Sequence, residues 1–283
     1  MKHVTALRAD EATGWLKGDT VDPIAFEIGP LAVRWYGLLI AAAFIIGLTM
    51  TGRSVKKAGL NEDHYYNIVM AMILFAILGA RLYYVLFNWS YYAAHMAEIP
   101  AIWHGGLAIH GGILAGTAVL FLGARHYRFR FWQLADIIAP WMILGQAIGR
   151  WGNFFNHEAY GYAVDKAKVP WAININGQWH HPTFLYESIW NVVGFGILMA
   201  ISRSQRHREG EVALIYLMYY SAGRFVIEGF RTDSLMLGPL RMAQVISLVI
   251  LVGAGTLLVI RRRREKSLAA STHERKEKHE HER

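Results

Sequence analysis

Long apolar runs separated by short charged stretches dominate this chain. A helix that crosses a bilayer needs roughly 20 mostly apolar residues, and seven segments have that character. We predict spanning helices at about 35–52, 65–87, 105–124, 132–155, 184–201, 212–230 and 242–260. The pattern therefore predicts an all-α integral membrane protein with seven transmembrane helices.

Lys and Arg are divided unevenly among the connections between these segments. Cytoplasmic loops of membrane proteins carry an excess of both residues. The connections after the first, third, fifth and seventh segments are basic, as at Arg125, Arg128 and Arg130, whereas residues 88–104 contain neither Lys nor Arg. The distribution predicts an amino terminus outside the membrane and a carboxyl terminus in the cytoplasm.

Three regions follow from this layout. Residues 1–34 are expected to form an extracytoplasmic amino-terminal segment with an interfacial part, because they contain charges and no apolar core of a signal peptide. Residues 35–260 form the seven-helix transmembrane domain. Residues 261–283 are a charged cytoplasmic tail in which we expect disorder.

Composition narrows the classes of function. The chain is 54% hydrophobic and 18% charged, with a formal charge of +8, whereas soluble domains are nearer a quarter charged. Most positive residues lie in the predicted cytoplasmic loops and tail, so no nucleic-acid partner is expected. The chain contains no cysteine, so any thiol in its chemistry comes from a substrate, and no metal or redox cofactor is expected.

Ionisable residues within the predicted spans share one depth. Such residues are costly in a membrane and usually functional, and on five predicted helices they lie in the outer half of the bilayer. Arg224, Glu228 and Arg231 are spaced to share one helical stripe, and Arg150 and Asn153 share another. Because Arg grips phosphate oxygens in bidentate fashion, the two stripes predict an anion site.

Two further polar residues leave alternatives open. Arg81 fits either a structural ion pair or the anion site. His110 is either a hydrogen-bonded core residue or a base, since histidine titrates near neutral pH. Five glycines surround His110 and indicate close backbone packing or access to a ligand; they are Gly105, Gly106, Gly111, Gly112 and Gly116.

A specific motif carries a resemblance to a known family. The run GRWGNFFNHEAYG, from Gly149 to Gly161, meets every fixed position of the signature Gly-Arg-x-Gly-Asn-Phe-x-Asn-x-Glu-x-x-Gly. Through it the chain resembles the prolipoprotein diacylglyceryl transferases over roughly residues 22–260. Other matches follow in order: DPIAFEIGPLAVRWYG (22–37), GARLYYVLF (79–87), HGGLAIHGG (104–112), DIIAP (136–140), HPTFLYE (181–187) and GRFVIEGFR (223–231).

The resemblance implies a definite reaction. Members of this family transfer the diacylglyceryl group of phosphatidylglycerol to the lipobox cysteine thiol of a preprolipoprotein signal peptide. A thioether forms and glycerol 1-phosphate leaves, as the first step of bacterial lipoprotein maturation. The resemblance thus implies a multi-pass enzyme of the bacterial cytoplasmic membrane, with phosphatidylglycerol, signal peptides and membrane lipid as partners.

The resemblance also assigns residues. Arg150 matches the arginine that binds phosphatidylglycerol. The candidates for catalysis are His110, as the base that takes the thiol proton, or alternatively Arg224, as a group that stabilises the thiolate without accepting the proton. The remaining candidates for substrate binding are Tyr36, Arg81, Asn153, Glu158, Gly161, Glu228 and Arg231.

Two rival functions share the anion site. A transporter or channel for an anionic solute would need polar access from both faces, yet only Asp136 is polar on the inner side. Another phospholipid-using enzyme, such as a head-group transferase or lipase, would need a metal-binding aspartate cluster or a serine nucleophile, and the sequence favours neither.

Overall fold

The computed structural model describes residues 21–29, 31–204 and 207–281. Most of them are helical. The helices are α1 (Trp35–Lys57), α2 (Glu62–Phe87), α3 (Trp89–Tyr92), α4 (Ile109–His126), α5 (Phe131–Phe155), α6 (Thr183–Arg203), α7 (Glu211–Glu228) and α8 (Met242–His281). Three antiparallel hairpins lie in the connections: β1 (Ile24–Ile28) with β2 (Leu31–Arg34), β3 (Ile173–Ile175) with β4 (Gln178–His180), and β5 (Met236–Leu237) with β6 (Leu240–Arg241).

Each of the seven predicted segments overlaps one long helix. Among the described residues, four helices are long and apolar enough to cross a membrane, namely Trp35–Lys57, Glu62–Phe87, Thr183–Arg203 and Met242–Arg264. The protein is therefore a helical, multi-pass membrane protein. The other three long helices, α4, α5 and α7, are not among these four, and α7 includes Glu211, Arg224 and Glu228 within 18 residues.

Two differences from the predicted boundaries have a clear physical reason. The third segment becomes helical only at Ile109, because Gly105 (φ 85°) and Gly106 (φ 71°) adopt positive φ values that interrupt a right-handed helix. The last helix continues to His281, through most of the segment in which the sequence predicts disorder. Glu, Lys and Arg are common there and have high helix propensity. Residues 1–20, the greater part of the predicted extracytoplasmic segment, lie outside the described residues.

The chain divides into two compact units. One comprises residues 1–48 and 138–283, and the other comprises residues 49–137. The boundaries fall within α1 and α5. We refer to them as the large unit and the small unit.

The small unit is organised by close packing of α2 against α4. Gly79 and Gly111 face each other across these helices, and a Cβ atom on either would overlap the other's backbone. The backbone N–H of Ala108 donates to the carbonyl of Ala80 at 3.0 Å, which joins the start of α4 to α2. The glycines of the third segment therefore serve close backbone packing at Gly111, one of the two roles that the sequence left open.

The large unit contains α6, α7 and α8 with the hairpins. Trp190 stacks on Tyr219 with ring centroids 4.7 Å apart, and each ring donates a hydrogen bond to the other residue's carbonyl. At the far end of α7, Arg262 of α8 pairs with Glu211 at 2.7 Å. Beside the start of α6, the β3–β4 hairpin packs on the end of α5 through Phe154, Ile173, Ile175 and Phe184.

The glycine contact in the small unit generates a stability prediction. Gly111→Ala should destabilise the protein by about 1–3 kcal/mol, because the added methyl group overlaps Gly79 and Tyr83. The matched control is Gly116→Ala on the same helix, where the new Cβ meets only the Ala76 methyl at 4.0 Å. This control should be neutral, or more stable by up to about 1 kcal/mol. Thermal unfolding in detergent measures both, and equal Tm values for the two variants would contradict the packing described.

Candidate functional site

Glu187 is the centre of a buried charge cluster in the large unit. It lies one turn into α6, and its side chain is 4% exposed. One carboxylate oxygen is 2.5 Å from Nη2 of Arg150 on α5, and the other is 2.7 Å from Nη1 of Arg224 on α7. A buried carboxylate is stable only when it is paired. The two ion pairs therefore bind α5 and α7 to α6 at this depth.

The predicted stripe on α7 forms the second half of the cluster. Nη2 of Arg224 is 2.6 Å from the Glu228 carboxylate, one turn along the same helix. Arg231, just beyond the helix, lies 3.8 Å from Glu228 and 3.9 Å from Glu187. The three residues thus face one site, as their spacing predicts. Three guanidinium groups meet two buried carboxylates there, which leaves an excess of one positive charge (3 − 2) before outer groups are counted.

Asp233 is the outer partner of Arg231. Its carboxylate accepts hydrogen bonds from Nε and Nη2 of Arg231 at 2.9 and 2.7 Å, and its side chain is half exposed. Burial raises the pKa of Asp233, but the hydrogen bonds and charge of Arg231 outweigh burial and hold that pKa below its ordinary value. Arg241 fixes the same loop, since it donates to the carbonyls of Glu228 and Arg231 and to the hydroxyl of Tyr162.

Arg150 is linked to Glu158 through one amide. Nη1 of Arg150 donates to Oδ1 of Asn153 at 3.4 Å, and Nδ2 of Asn153 donates to Oε1 of Glu158 at 2.9 Å. Asn156 donates to the same oxygen at 3.4 Å. The predicted grouping of Arg150, Asn153 and Glu158 is therefore present, with the asparagine bridging the opposite charges.

A sharp turn after α5 holds Glu158 and Gly161 in place. His157 (φ 53°) and Ala159 (φ 59°) adopt left-handed conformations that are uncommon for residues with side chains, and the Thr183 hydroxyl donates to the carbonyl of Ala159. Gly161 then forms a bridge with Arg231. A Cβ at Gly161 would lie 2.8 Å from the carbonyl oxygen of Phe230, so only glycine lets the Arg231 segment approach this closely.

Tyr36 belongs to the same unit. It occupies the second position of α1, and its ring packs on Gly152, where an added Cβ would overlap it. Gly152 therefore provides the space for this ring on α5. Seven of the ten predicted site residues lie on α5, on α7 or in the turns that follow them in this unit. Tyr36, on α1, is the eighth.

Arg81 and His110 lie in the small unit. Arg81 is 6% exposed and donates to the carbonyls of Glu98, Ile99, Gly105 and Gly106 at 2.7 to 3.0 Å. These four bonds to backbone carbonyls hold the connection that precedes α4, and they differ from the ion pair that was one of the two alternatives for this residue. His110 occupies the first turn of α4, is exposed, and lies beside the Tyr83 ring at 6.0 Å.

Glu187 is the main residue that the sequence analysis did not include among its site residues. Its signal was present, because it ends the motif HPTFLYE and lies at the depth of the arginines. Asp233 and Arg241 were also left out. They lie in a polar loop, where spacing does not indicate a partner. Within the described residues, His, Asp and Glu side chains form no group of three suited to a metal ion.

The Arg231–Asp233 pair generates a prediction about pH. Because the folded-state pKa of Asp233 is below the ordinary 3.8, its stabilisation is complete above that value and is lost as the pH falls through the folded pKa. Asp233→Asn should lower the stability by about 0.2–1 kcal/mol at pH 7, the range for exposed pairs. The difference from wild type should shrink as the pH falls below 3.8. Tm measured in detergent between pH 3 and 7 tests this, with Asp165→Asn as a control, since Asp165 bonds to the Ala167 N–H. A constant difference across this range would contradict the prediction.

Comparisons with known proteins bear on the whole chain. The family model for prolipoprotein diacylglyceryl transferase matches residues 23–260. Proteins named phosphatidylglycerol–prolipoprotein diacylglyceryl transferase are similar over most of their length. The one from Bacillus velezensis is 49% identical over 255 residues, covering 87% of this chain and 94% of the relative. Those from Geobacillus kaustophilus (47%, 86% and 93%) and Limosilactobacillus reuteri (46%, 86% and 92%) are comparable. The resemblance expected from the signature is thereby confirmed, and the chain belongs to the prolipoprotein diacylglyceryl transferase family.

Proposed function

We propose that this protein transfers the diacylglyceryl group of phosphatidylglycerol to the thiol of a lipobox cysteine in preprolipoprotein signal peptides. Membership of the family and the names of its relatives support the reaction. The observation that carries it is the cluster of Arg150, Arg224 and Arg231 around Glu187. It offers a preformed site for the phosphate of the lipid, within helices that belong in a membrane.

Arg150 and Arg231 are the proposed phosphate ligands. Each guanidinium group has five N–H donors. In the contacts described for Arg150, Nη1 bonds to Asn153 and Nη2 pairs with Glu187, which leaves further N–H donors for a ligand. A phosphate oxygen would complete this donor set at the most exposed of the three arginines, whose side chain is 21% exposed. Glu187 and Glu228 hold the guanidinium groups in place before the lipid arrives, so binding costs little reorganisation.

The remaining proposed roles follow from the contacts. Asn153 and Glu158 orient Arg150, Gly161 admits the Arg231 segment, and Tyr36 packs against the helix that bears Arg150. Arg224 binds both buried carboxylates and supplies positive potential towards a thiolate. Arg81 supports the connection to α4 in the small unit.

The proposed chemistry is an alkyl transfer. The cysteine sulfur forms a bond to the glyceryl carbon that carries the phosphate, and the bond between that carbon and the phosphate oxygen breaks. The thiol proton passes to a base. The negative charge of the thiolate passes to the leaving glycerol 1-phosphate, where Arg150 and Arg231 neutralise it. A free cysteine has a pKa near 8.5, so a base is useful at neutral pH, and His110 is the proposed one.

The membrane arrangement is also part of this proposal. All seven long helices would span the bacterial cytoplasmic membrane, with the amino terminus outside and residues 261–283 in the cytoplasm. The basic connections and the tail support that orientation. The ends of α5 and α7 and the start of α6 would then place the charge cluster at the outer leaflet, where a translocated signal peptide arrives.

The decisive experiment is transfer of labelled diacylglyceryl from phosphatidylglycerol to a lipobox peptide by purified protein in detergent. Arg150→Ala and Arg224→Ala should each lower kcat by about 10²–10³, because preorganised charge stabilisation is lost. Arg262→Ala is the matched control, since it breaks an Arg–Glu pair at the opposite end of α7 and should keep transfer near normal.

A Cys→Ser peptide should accept no label. Absence of transfer by folded wild-type protein would contradict the proposed reaction. Near-normal transfer by Arg150→Ala would leave the reaction standing and remove the phosphate site from this cluster.

The role of His110 has its own test. His110→Gln should lower transfer at least tenfold at pH 6–8, within the 10²–10⁴ that general bases contribute. The deficit should shrink above about pH 8.5, where the peptide thiol ionises without help. The ratio of variant to wild-type kcat between pH 6 and 9.5 is the measurement. A ratio that does not change with pH would assign the proton to another group.

A further inference from the structure

A second polar layer lies directly beneath the charge cluster. Gln146 precedes Arg150 by four residues on α5, and Asn191 follows Glu187 by four residues on α6. Each therefore lies one turn from the Arg150–Glu187 pair, on the same helical face and nearer the middle of its helix. The Arg150–Glu187 pair and the Ile143 side chain beside Gly194 both fit an antiparallel arrangement of the two helices in which residue 146 lies near the level of residue 191.

The polar atoms of this layer are buried and incompletely bonded. Asn191 is 1% exposed, and its Nδ2 has no hydrogen-bond partner among the residues that the structure describes. Oε1 of Gln146 is likewise buried and unpartnered within that part of the chain. Nε2 of Gln146 donates to the hydroxyl of Tyr216, a residue 9% exposed on α7. Buried polar groups are nearly always satisfied, and a bound ligand with hydrogen-bonding groups would satisfy both amides.

The amides can present two donors to such a partner. A half-turn of the Gln146 amide exchanges its oxygen and nitrogen, and the Tyr216 hydroxyl then donates to the oxygen instead. The Gln146 N–H groups become available beside those of Asn191. Tyr216 thus allows either orientation, and the orientation with two donors complements a ligand that has two acceptors close together.

The diacylglyceryl group has that chemistry. The two glyceryl carbons that do not carry phosphate bear acyl esters, and each ester carbonyl accepts hydrogen bonds without donating any. With the phosphate at the arginines and the acyl chains directed towards the bilayer centre, the esters lie nearer the middle of the helices. One helical turn, about 5.4 Å, separates the two layers. We propose that Gln146 and Asn191 bind the ester carbonyls of the lipid and so select diester over diether substrates.

This inference rests on the proposed function and adds a determinant of lipid specificity to it. The same donors also suit the carbonyls of a peptide main chain, but the position of the layer favours the lipid. Its two amides lie on the faces of α5 and α6 that, one turn away, hold the proposed phosphate ligand and its partner. The phosphate and the ester groups belong to one molecule and are a few covalent bonds apart.

The test compares diester and diether phosphatidylglycerol with the same head group and chain length, using one lipobox peptide. The wild-type protein should show kcat/KM about tenfold or more higher for the diester, because the diether lacks both carbonyl acceptors. Asn191→Leu should lower activity on the diester and bring the diester-to-diether ratio of kcat/KM close to one. Gln146→Leu should also lower this ratio. Val192→Leu, a change at a neighbouring residue 51% exposed, should keep the wild-type ratio.

The possible outcomes separate the alternatives. Equal kcat/KM values of the wild-type protein for both lipids overturn the proposal. This outcome needs no variant, so it does not depend on whether a variant folds. Equal losses on both lipids assign the layer a structural or water-binding role and overturn it too. A rise in KM for the peptide alone, at an unchanged lipid ratio, assigns the layer to the peptide main chain. Absence of transfer from either lipid by folded wild-type protein rejects the proposed reaction itself.

Discussion

The carboxylate of Glu187 must be neutralised where it lies, because it is 4% exposed on a helix apolar enough to cross a membrane. Removing such a charge from water is costly unless excellent ion pairs compensate. Arg150 and Arg224 provide those pairs from two other helices, and Arg231 approaches from the following turn. The positions of α5, α6 and α7 at this end of the large unit all depend on that constraint, and so does the geometry offered to an anion.

The surroundings of the cluster extend the same constraint outward. Asn153 links Arg150 to Glu158 through hydrogen bonds, and Asp233 and Arg241 fix the loop that carries Arg231. Gly161 contributes space rather than chemistry, since a side chain there would push away the backbone before Arg231. The signature motif therefore combines one proposed ligand of the substrate with residues that hold the ligand in position.

The small unit meets the cost of a buried charge differently. Arg81 faces backbone carbonyls instead of carboxylates, and these bonds hold a connection in which Gly105 and Gly106 adopt positive φ values. Four hydrogen bonds to carbonyls use most of the N–H donors of Arg81, which suits a structural support better than a binding group. The two arginine environments show why burial alone does not indicate function. The groups that contact a buried arginine decide whether it still has N–H donors to offer a ligand.

The sequence by itself determined the helical membrane class, the approximate helix positions, and the family, because apolar length and a specific motif are local properties. It also grouped Arg224, Glu228 and Arg231, whose partnership follows from spacing along one helix. Only the tertiary structure placed Glu187 between three arginines, gave Arg150 a carboxylate partner and Arg81 carbonyl partners, and brought Gln146 near the level of Asn191. Those relations depend on the rotation and register of one helix against another. Periodicity gives the face of a helix, but it does not say which residue of a distant helix that face will meet.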